Sequence, residues 1–278
     1  MQNFNLGICF ILSILVSFYF ASCKKADINI ADSFYLDQPD LIIPLAKQIK
    51  NLAGIAIDTS GTLWAVNDKD PTLFVIDLVT KKTKNQITIA KDNDYRGVAY
   101  ANNFAYLARN DGFIKRVSLK TNNTVKTFFN PIEEVKNIGG IYYKHSSNQL
   151  LVINTQGESE NQLDIYSFDL EEEKFNTNIA ASISISEIKE HLKSSNTSTE
   201  NLTPTGLSAD PINGNLYISL ASQNVVVTDN VGKIKTVTSF TNPEHGNIGG
   251  ICFDQSGNIM IGFQGKTSSA AVYKYKRK

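Results

Sequence analysis

Five times along the chain a glycine opens a short apolar run, a polar turn interrupts it, and a second apolar run follows. The first unit reads Gly54-Ile55-Ala56-Ile57, then Thr59-Ser60-Gly61, then Leu63-Trp64-Ala65-Val66. The others open at Gly97, Gly140, Gly206 and Gly250, so the key glycines are spaced by 43, 43, 66 and 44 residues. A period near 43 is that of a four-stranded propeller blade. Turns rich in Gly, Asn, Asp and Ser are what tight hairpins require. A third apolar run follows in every unit, as in Leu73–Leu78 or Ala271–Tyr275, and weaker fourth strands are expected at Gln86–Ile89 and Thr236–Ser239. The last unit stops after three strands. Leu41-Ile42-Ile43-Pro44-Leu45, ahead of the first unit, is the natural candidate to close it, which removes the open sheet edges. The expected fold is all-β: a single β-propeller of about five blades over residues 40–278, with a sixth blade around 170–203 as the alternative.

The 66-residue interval holds an insertion. Ser186–Lys193 reads as a short helix with Ser186 as N-cap and Ile188 and Leu192 on one face, and a polar loop, 194–200, follows. Strand polarity then locates a candidate site. The start of each first strand and the end of each second strand lie at the same mouth of the channel. That mouth gathers Asn67, Asp68, Asp92, Asp94, Arg96, Asn110, Asp111, Asn154, Glu244, His245 and Gln264, and propeller loops are the usual place for ligand contacts.

Ahead of this body, Leu6–Phe20 is an apolar run of 15 residues with no charged side chain before Lys24. That is short for a spanning helix and fits a secretory signal. The following Phe20-Ala21-Ser22-Cys23 resembles the lipobox of bacterial lipoproteins. The resemblance implies a signal peptide over 1–22, an acylated Cys23 in the lipid bilayer, and an anchor and linker over 23–39. Lys24 and Lys25, with no aspartate after the cysteine, imply sorting to the outer membrane of the cell envelope. The alternative is an uncleaved anchor helix. Cys9 belongs to the signal, and Cys252 remains as the one cysteine of the body, so the body makes no internal disulfide; Cys252 reads as a small buried residue.

Hydrophobic residues make up 42% of the chain, enough for a core, and 27 basic residues balance 27 acidic ones. A neutral chain lacks the basic surplus of a general nucleic-acid binder. None of His145, His191 and His245 has a partner at zinc-ligand spacing, and no G-x-S-x-G elbow occurs. Trp64 reads as core.

The run Gly54-Ile55-Ala56…Trp64-Ala65-Val66-Asn67-Asp68, the run Asp92-Asn93-Asp94-Tyr95-Arg96-Gly97, and Pro204-Thr205-Gly206-Leu207…Asn213-Gly214-Asn215 together resemble the SdiA-regulated (YjiK-like) family of propeller proteins. The resemblance spans about 40–278. It implies a fold similar to phytase-like and esterase-like propellers and little chemistry. Where that family carries Glu before the glycine of the second, third and last units, this chain has Arg96, Gly139 and Gly249. A calcium ion wants six to eight oxygens, several from carboxylates. Asp68, Asp92, Asp94 and Asp111 can offer some, yet the favoured reading gives these aspartates to turn formation, and no cofactor is expected. Two functions follow as expectations: a monomeric, non-catalytic module binding an envelope protein, glycan or small ligand, or a metal-dependent hydrolase of the phytase-like or esterase-like kind.

Overall fold

The computed structural model describes residues 30–278 except 37, 71, 90–93, 122, 133, 134, 136, 156–159, 241–243, 267 and 268. Cys23 and Asp92 therefore lie outside the described residues. After a four-residue helix α1 (Ile30–Ser33) and strand β1 (Leu41–Pro44), the chain forms successive four-stranded antiparallel blades. Blade 1 is β2 (Leu52–Ile57), β3 (Thr62–Asn67), β4 (Thr72–Asp77) and β5 (Lys82–Thr88). Blade 2 is β6 (Tyr95–Ala101), β7 (Phe104–Arg109), β8 (Ile114–Ser118) and β9 (Asn123–Phe128). Blade 3 is β10 (Ile138–Lys144), β11 (Gln149–Asn154), β12 (Gln162–Asp169) and β13 (Lys174–Ser184). Helix α2 (Ile185–Ser194) follows, then blade 4: β14 (Pro204–Ala209), β15 (Leu216–Leu220), β16 (Asn224–Thr228) and β17 (Ile234–Ser239). Blade 5 is β18 (His245–Phe253), β19 (Ile259–Gly265) and β20 (Ala271–Tyr275), and β1 supplies its outer strand. In that pairing Leu41 faces Lys274 and Pro44 faces Ala271. The protein is a five-bladed β-propeller closed by its N-terminal strand. The long interval adds no sixth blade: an 11-residue outer strand, α2 and a loop fill it.

The recurring glycines have one physical cause. A Cβ built on Gly54 would stand 2.6 Å from Gly97 Cα. One on Gly140 would stand 2.8 Å from Gly206 Cα, one on Gly206 3.1 Å from Gly250 Cα, and one on Gly250 3.1 Å from Gly54 Cα. The inner strands thus touch backbone to backbone in a ring, a close approach that a side chain would block. Immediately before each ring glycine the register shifts, between Leu52 and Gly54, Tyr95 and Gly97, Ile138 and Gly140, Pro204 and Gly206, and Ile248 and Gly250. Each inner strand therefore carries a bulge at the same place, at Ala53, Arg96, Gly139, Thr205 and Gly249. Bulges bend a strand and re-aim the side chain they carry.

The core is divided into five layers, one at each blade boundary. Leu52, Ile55, Cys252 and Met260 join blades 5 and 1, and Trp64, Val66, Tyr95 and Val98 join blades 1 and 2. Burial of Trp64 and Cys252 agrees with the sequence reading, and burial pushes the Cys252 thiol pKa up. Helix α2 seats Ile188 and Leu192 in the layer between blades 3 and 4. Its N-cap is Ser184, not Ser186: the Ser184 hydroxyl accepts from Glu187 N at 3.2 Å. Residues before 40, read as linker from the sequence, also contribute: Ile30 and Phe34 are buried in the layer between blades 4 and 5.

Candidate functional site

The channel narrows at the glycine ring and opens into a cavity on each side. The mouth singled out by strand polarity holds a cavity of about 290 Å³. Its wall is built by loop residues tied together through the backbone. Asp68 N donates to Asn51 O (2.9 Å), Asp94 N to Asp68 O (2.9 Å), Asn110 N to Asp94 O (2.9 Å), and Thr155 N to Asn137 O (2.8 Å). Each bond joins the end of a second strand to the residue three before a ring glycine, in its own blade or the next. The loops are thereby held in place by partners that satisfy their backbone groups.

Of the sequence-derived candidates, Asp68, Arg96, Asn110 and Gln264 line this cavity. The bulge at Arg96 turns its guanidinium to the mouth, where Nη2 donates to Asp94 Oδ1 at 2.6 Å and Nη1 stands 3.7 Å from Asp68 Oδ2. Burial pushes the Asp68 carboxyl above its ordinary range; Arg96 opposes that shift, and Asp94 adds to it. Gln264 donates from Nε2 to Leu52 O at 3.1 Å, bridging blades 5 and 1.

Of the other candidates, Asn67, Asn154, Asp94, Asp111 and Glu244 do not line it. Asn67 is buried and donates to Gln48 O, and Asn154 is fully buried at the end of β11. Asp94 and Asp111 hold Arg96 and Arg109 beside the mouth, and Glu244 is exposed just ahead of β18. His245 begins β18, and its side chain lies outside the described residues. Asn137, Thr155, Asn201, Thr203, Thr205 and Asn247 line the cavity as well and were missed. A signal for most of them existed. Asn137, Thr203 and Asn247 sit three residues before their ring glycines, as Asp94 does, and Thr155 follows its second strand as Asp68 does. At Gly139 and Gly249 a side chain has no room: a Cβ would meet Pro204 O at 2.5 Å in the first case and overlap Leu52 O in the second.

The opposite mouth is wider. Its cavity of about 450 Å³ is walled by Tyr100, Tyr142, Tyr143, Phe253 and the aliphatic residues after each ring glycine. Asp58 and Asp254 at its rim are spent on hairpins. Asp58 Oδ1 accepts from Ser60 N and Thr62 N, and its Oδ2 accepts from Trp64 Nε1 at 3.1 Å. Asp254 repeats the pattern toward Asn258 and pairs with Lys274. These aspartates shape turns, as the sequence reading favoured for the other mouth. Among the described residues, no three His, Cys, Asp or Glu side chains gather as a metal-binding group.

Fold and channel together define a five-bladed β-propeller with a polar and an aromatic mouth. No family model matches the chain, and no curated protein matches it. Solved structures match at the level of fold. The glutaminyl cyclase of Myxococcus xanthus is 14% identical, with a TM-score of 0.59 over 87% of this chain and 96% of that one. A chain of a nidogen/laminin complex is 14% identical, with a TM-score of 0.51 over 78% and 73%. The RRP9 WD40 repeats are 7% identical, with a TM-score of 0.50 over 84% and 97%. At these identities the likeness is one of fold.

The Arg96 cluster makes a prediction about calcium. A cation stabilises the folded protein only through preferential binding to it, and here a guanidinium already sits between the two carboxylates. Calcium is expected to raise the melting temperature of the natural protein little, and that of an Arg96→Glu variant more. Thermal melts of both proteins with calcium and with a chelator check this. A large calcium-dependent shift in the natural protein is the contrary result.

Proposed function

We propose that this protein is a lipid-anchored, non-catalytic propeller of the cell envelope that holds a small uncharged polar ligand, a glycan above all, at its narrow mouth. One observation carries the reading: amide and hydroxyl side chains of blades 2 to 5 converge there. Asn137, Asn201, Thr203 and Asn247 are exposed in the cavity wall, while its charges, Asp68 and Arg96, face each other. Amides and hydroxyls both donate and accept, which suits the hydroxyls of a sugar. Arg96 is held by Asp68 and Asp94, so the described cavity wall offers no unpaired cation to select an anion. The anchoring part rests on Cys23 and the apolar run before it. No helix among the described residues is long and apolar enough to cross a membrane.

The test has two arms. Thermal melts with neutral mono- and disaccharides, and with glucuronate and sugar phosphates for contrast, are expected to show stabilisation by a neutral sugar that an Asn137→Ala, Asn247→Ala double variant loses. Stabilisation by charged sugars alone, or metal-dependent cleavage of phosphate or carboxyl esters, overturns the binding reading. In the second arm Cys23→Ala is expected to abolish incorporation of labelled fatty acid, and unchanged labelling overturns the anchor.

A further inference from the structure

We propose that the wide, tyrosine-walled mouth faces the lipid surface and the amide-rich mouth faces away from it. The inference rests on the anchored reading above.

The first argument is the length of the tether and where it ends. Cys23 precedes Ile30 by seven residues, so even a fully extended chain spans at most ~25 Å between them. Ile30 is fixed to the body: it is buried, and Phe34 N donates to Ile30 O at 3.0 Å. Phe34 packs on Tyr217 and Phe253 at ring-centroid distances of 6.4 and 6.2 Å, and Tyr35 N donates to Lys276 O. Tyr217 lies near the start of β15, Phe253 ends β18, and Lys276 follows β20. All three positions are at the wide-mouth end of their strands. The tether therefore leaves the body on that side, at the boundary of blades 4 and 5. The inner strands are six to nine residues long, which makes the body ~20 Å or more from mouth to mouth. A tether that first climbed that height would have almost nothing left to reach the bilayer.

A second, independent observation is what that face displays. The large exposed apolar side chains there are Val79 (91% exposed), Val231 (64%), Ile212 (63%) and Tyr35 (56%). The first three are the tips of hairpins 78–81, 229–233 and 210–215, which all turn at the wide-mouth end, in blades 1 and 4. Tyr35 joins them beside blade 5. Isolated apolar residues on loop tips are ordinary; here they stand on one face, in the sector of blades 4, 5 and 1 that includes the tether's point of departure. The same sector exposes Lys81, Lys82, Lys233, Lys276 and Lys278, and Lys24 and Lys25 follow the anchor in sequence. Apolar tips ringed by lysine suit the interface of an anionic bilayer. On the narrow side Phe129, after β9, is exposed, which supplies a reporter position for the far face.

The experiment uses the full anchored protein in vesicles of phosphatidylethanolamine and phosphatidylglycerol containing a spin-labelled lipid. Val79→Cys and Phe129→Cys variants each carry one fluorophore; Cys252 is buried and its thiol pKa is pushed up, so it does not compete for label. Lipid quenching is expected to be several-fold stronger at position 79 than at 129. Equal quenching, or stronger quenching at 129, in protein that floats with the vesicles and carries labelled fatty acid overturns the orientation while the anchor stands. Protein that neither floats nor carries fatty acid overturns the anchored reading, and the orientation with it.

Discussion

A Gly140→Ala variant is expected to lose about 3 kcal/mol of stability, the upper part of what an extra methyl costs in a packed interior. Alanine ordinarily gains over glycine in a strand, because the unfolded chain has less freedom to lose. Gly140 does not sit in the left-handed region, so the new residue meets no backbone strain. The whole cost is steric: the added methyl would stand 2.8 Å from Gly206 Cα, Gly206 C and Leu207 N. All three are backbone atoms of the next inner strand, which is itself packed against Gly250. Relief would require blades 3 and 4 to separate at the channel wall, opening their shared layer of Leu151, Ile153, Leu207 and Ile218. Gly246→Ala is the control, since its methyl would meet nothing closer than 3.5 Å. Urea denaturation of both variants decides the matter. A Gly140→Ala protein as stable as the control would mean that the ring has slack, and that the glycine period has some other origin.

That period is why the fold was readable from sequence. A backbone-to-backbone contact repeated in each blade leaves a mark no other residue type can carry, and it survives where strand composition blurs. An outer strand such as β13 escaped notice because it faces solvent over most of its length and obeys no strict alternation. The anchoring segment at Ile30–Phe34 was equally hidden. Four residues of helix make no periodicity, and their partner, Arg277, lies at the other end of the chain. At the candidate site, strand polarity found the right mouth and missed the facing of individual side chains. Asn67 and Asn154 are the last residues of their strands and point between blades; Asp68 and Thr155, one residue on, reach the cavity. With a side-chain period of two, an error of one residue exchanges wall for core. The wide mouth was harder still. Tyr142 and Tyr143 are neighbours on one strand, where alternation alone puts one of the two in the core, and only the closed ring of blades shows that both border a cavity.

Arg277→Ala is expected to cost about 3–5 kcal/mol, the usual range when one partner of a buried ion pair is removed. The Asp210 side chain is fully buried, and Arg277 Nη2 lies 2.5 Å from its Oδ2. Asp210 Oδ1 is occupied by Ile212 N at 2.9 Å, which shapes the β14–β15 hairpin. The carboxylate therefore cannot turn to water without undoing that turn. Arg277 is fixed as firmly. Its Nε donates to Gly257 O, its backbone N donates to Asn258 Oδ1, and its guanidinium lies 4.9 Å from the Phe34 ring centroid. One side chain thus links the hairpins of blades 4 and 5 to the segment that follows the tether. Alanine would strand a charge in the interior and release Phe34 together. Both effects are relieved in an Asp210→Asn, Arg277→Met double variant, which removes both charges and keeps an apolar stem over Phe34. It is expected to recover most of the loss, because a buried pair replaced by neutral groups of similar size is often close to neutral in stability. Urea melts of the single and double variants test this. A single variant within about 1 kcal/mol of the natural protein, the scale of an exposed pair, would mean that water reaches Asp210. A double variant no better than the single one would place the cost in neither the charge nor the stem over Phe34, but in the lost hydrogen bond from Arg277 Nε to Gly257 O.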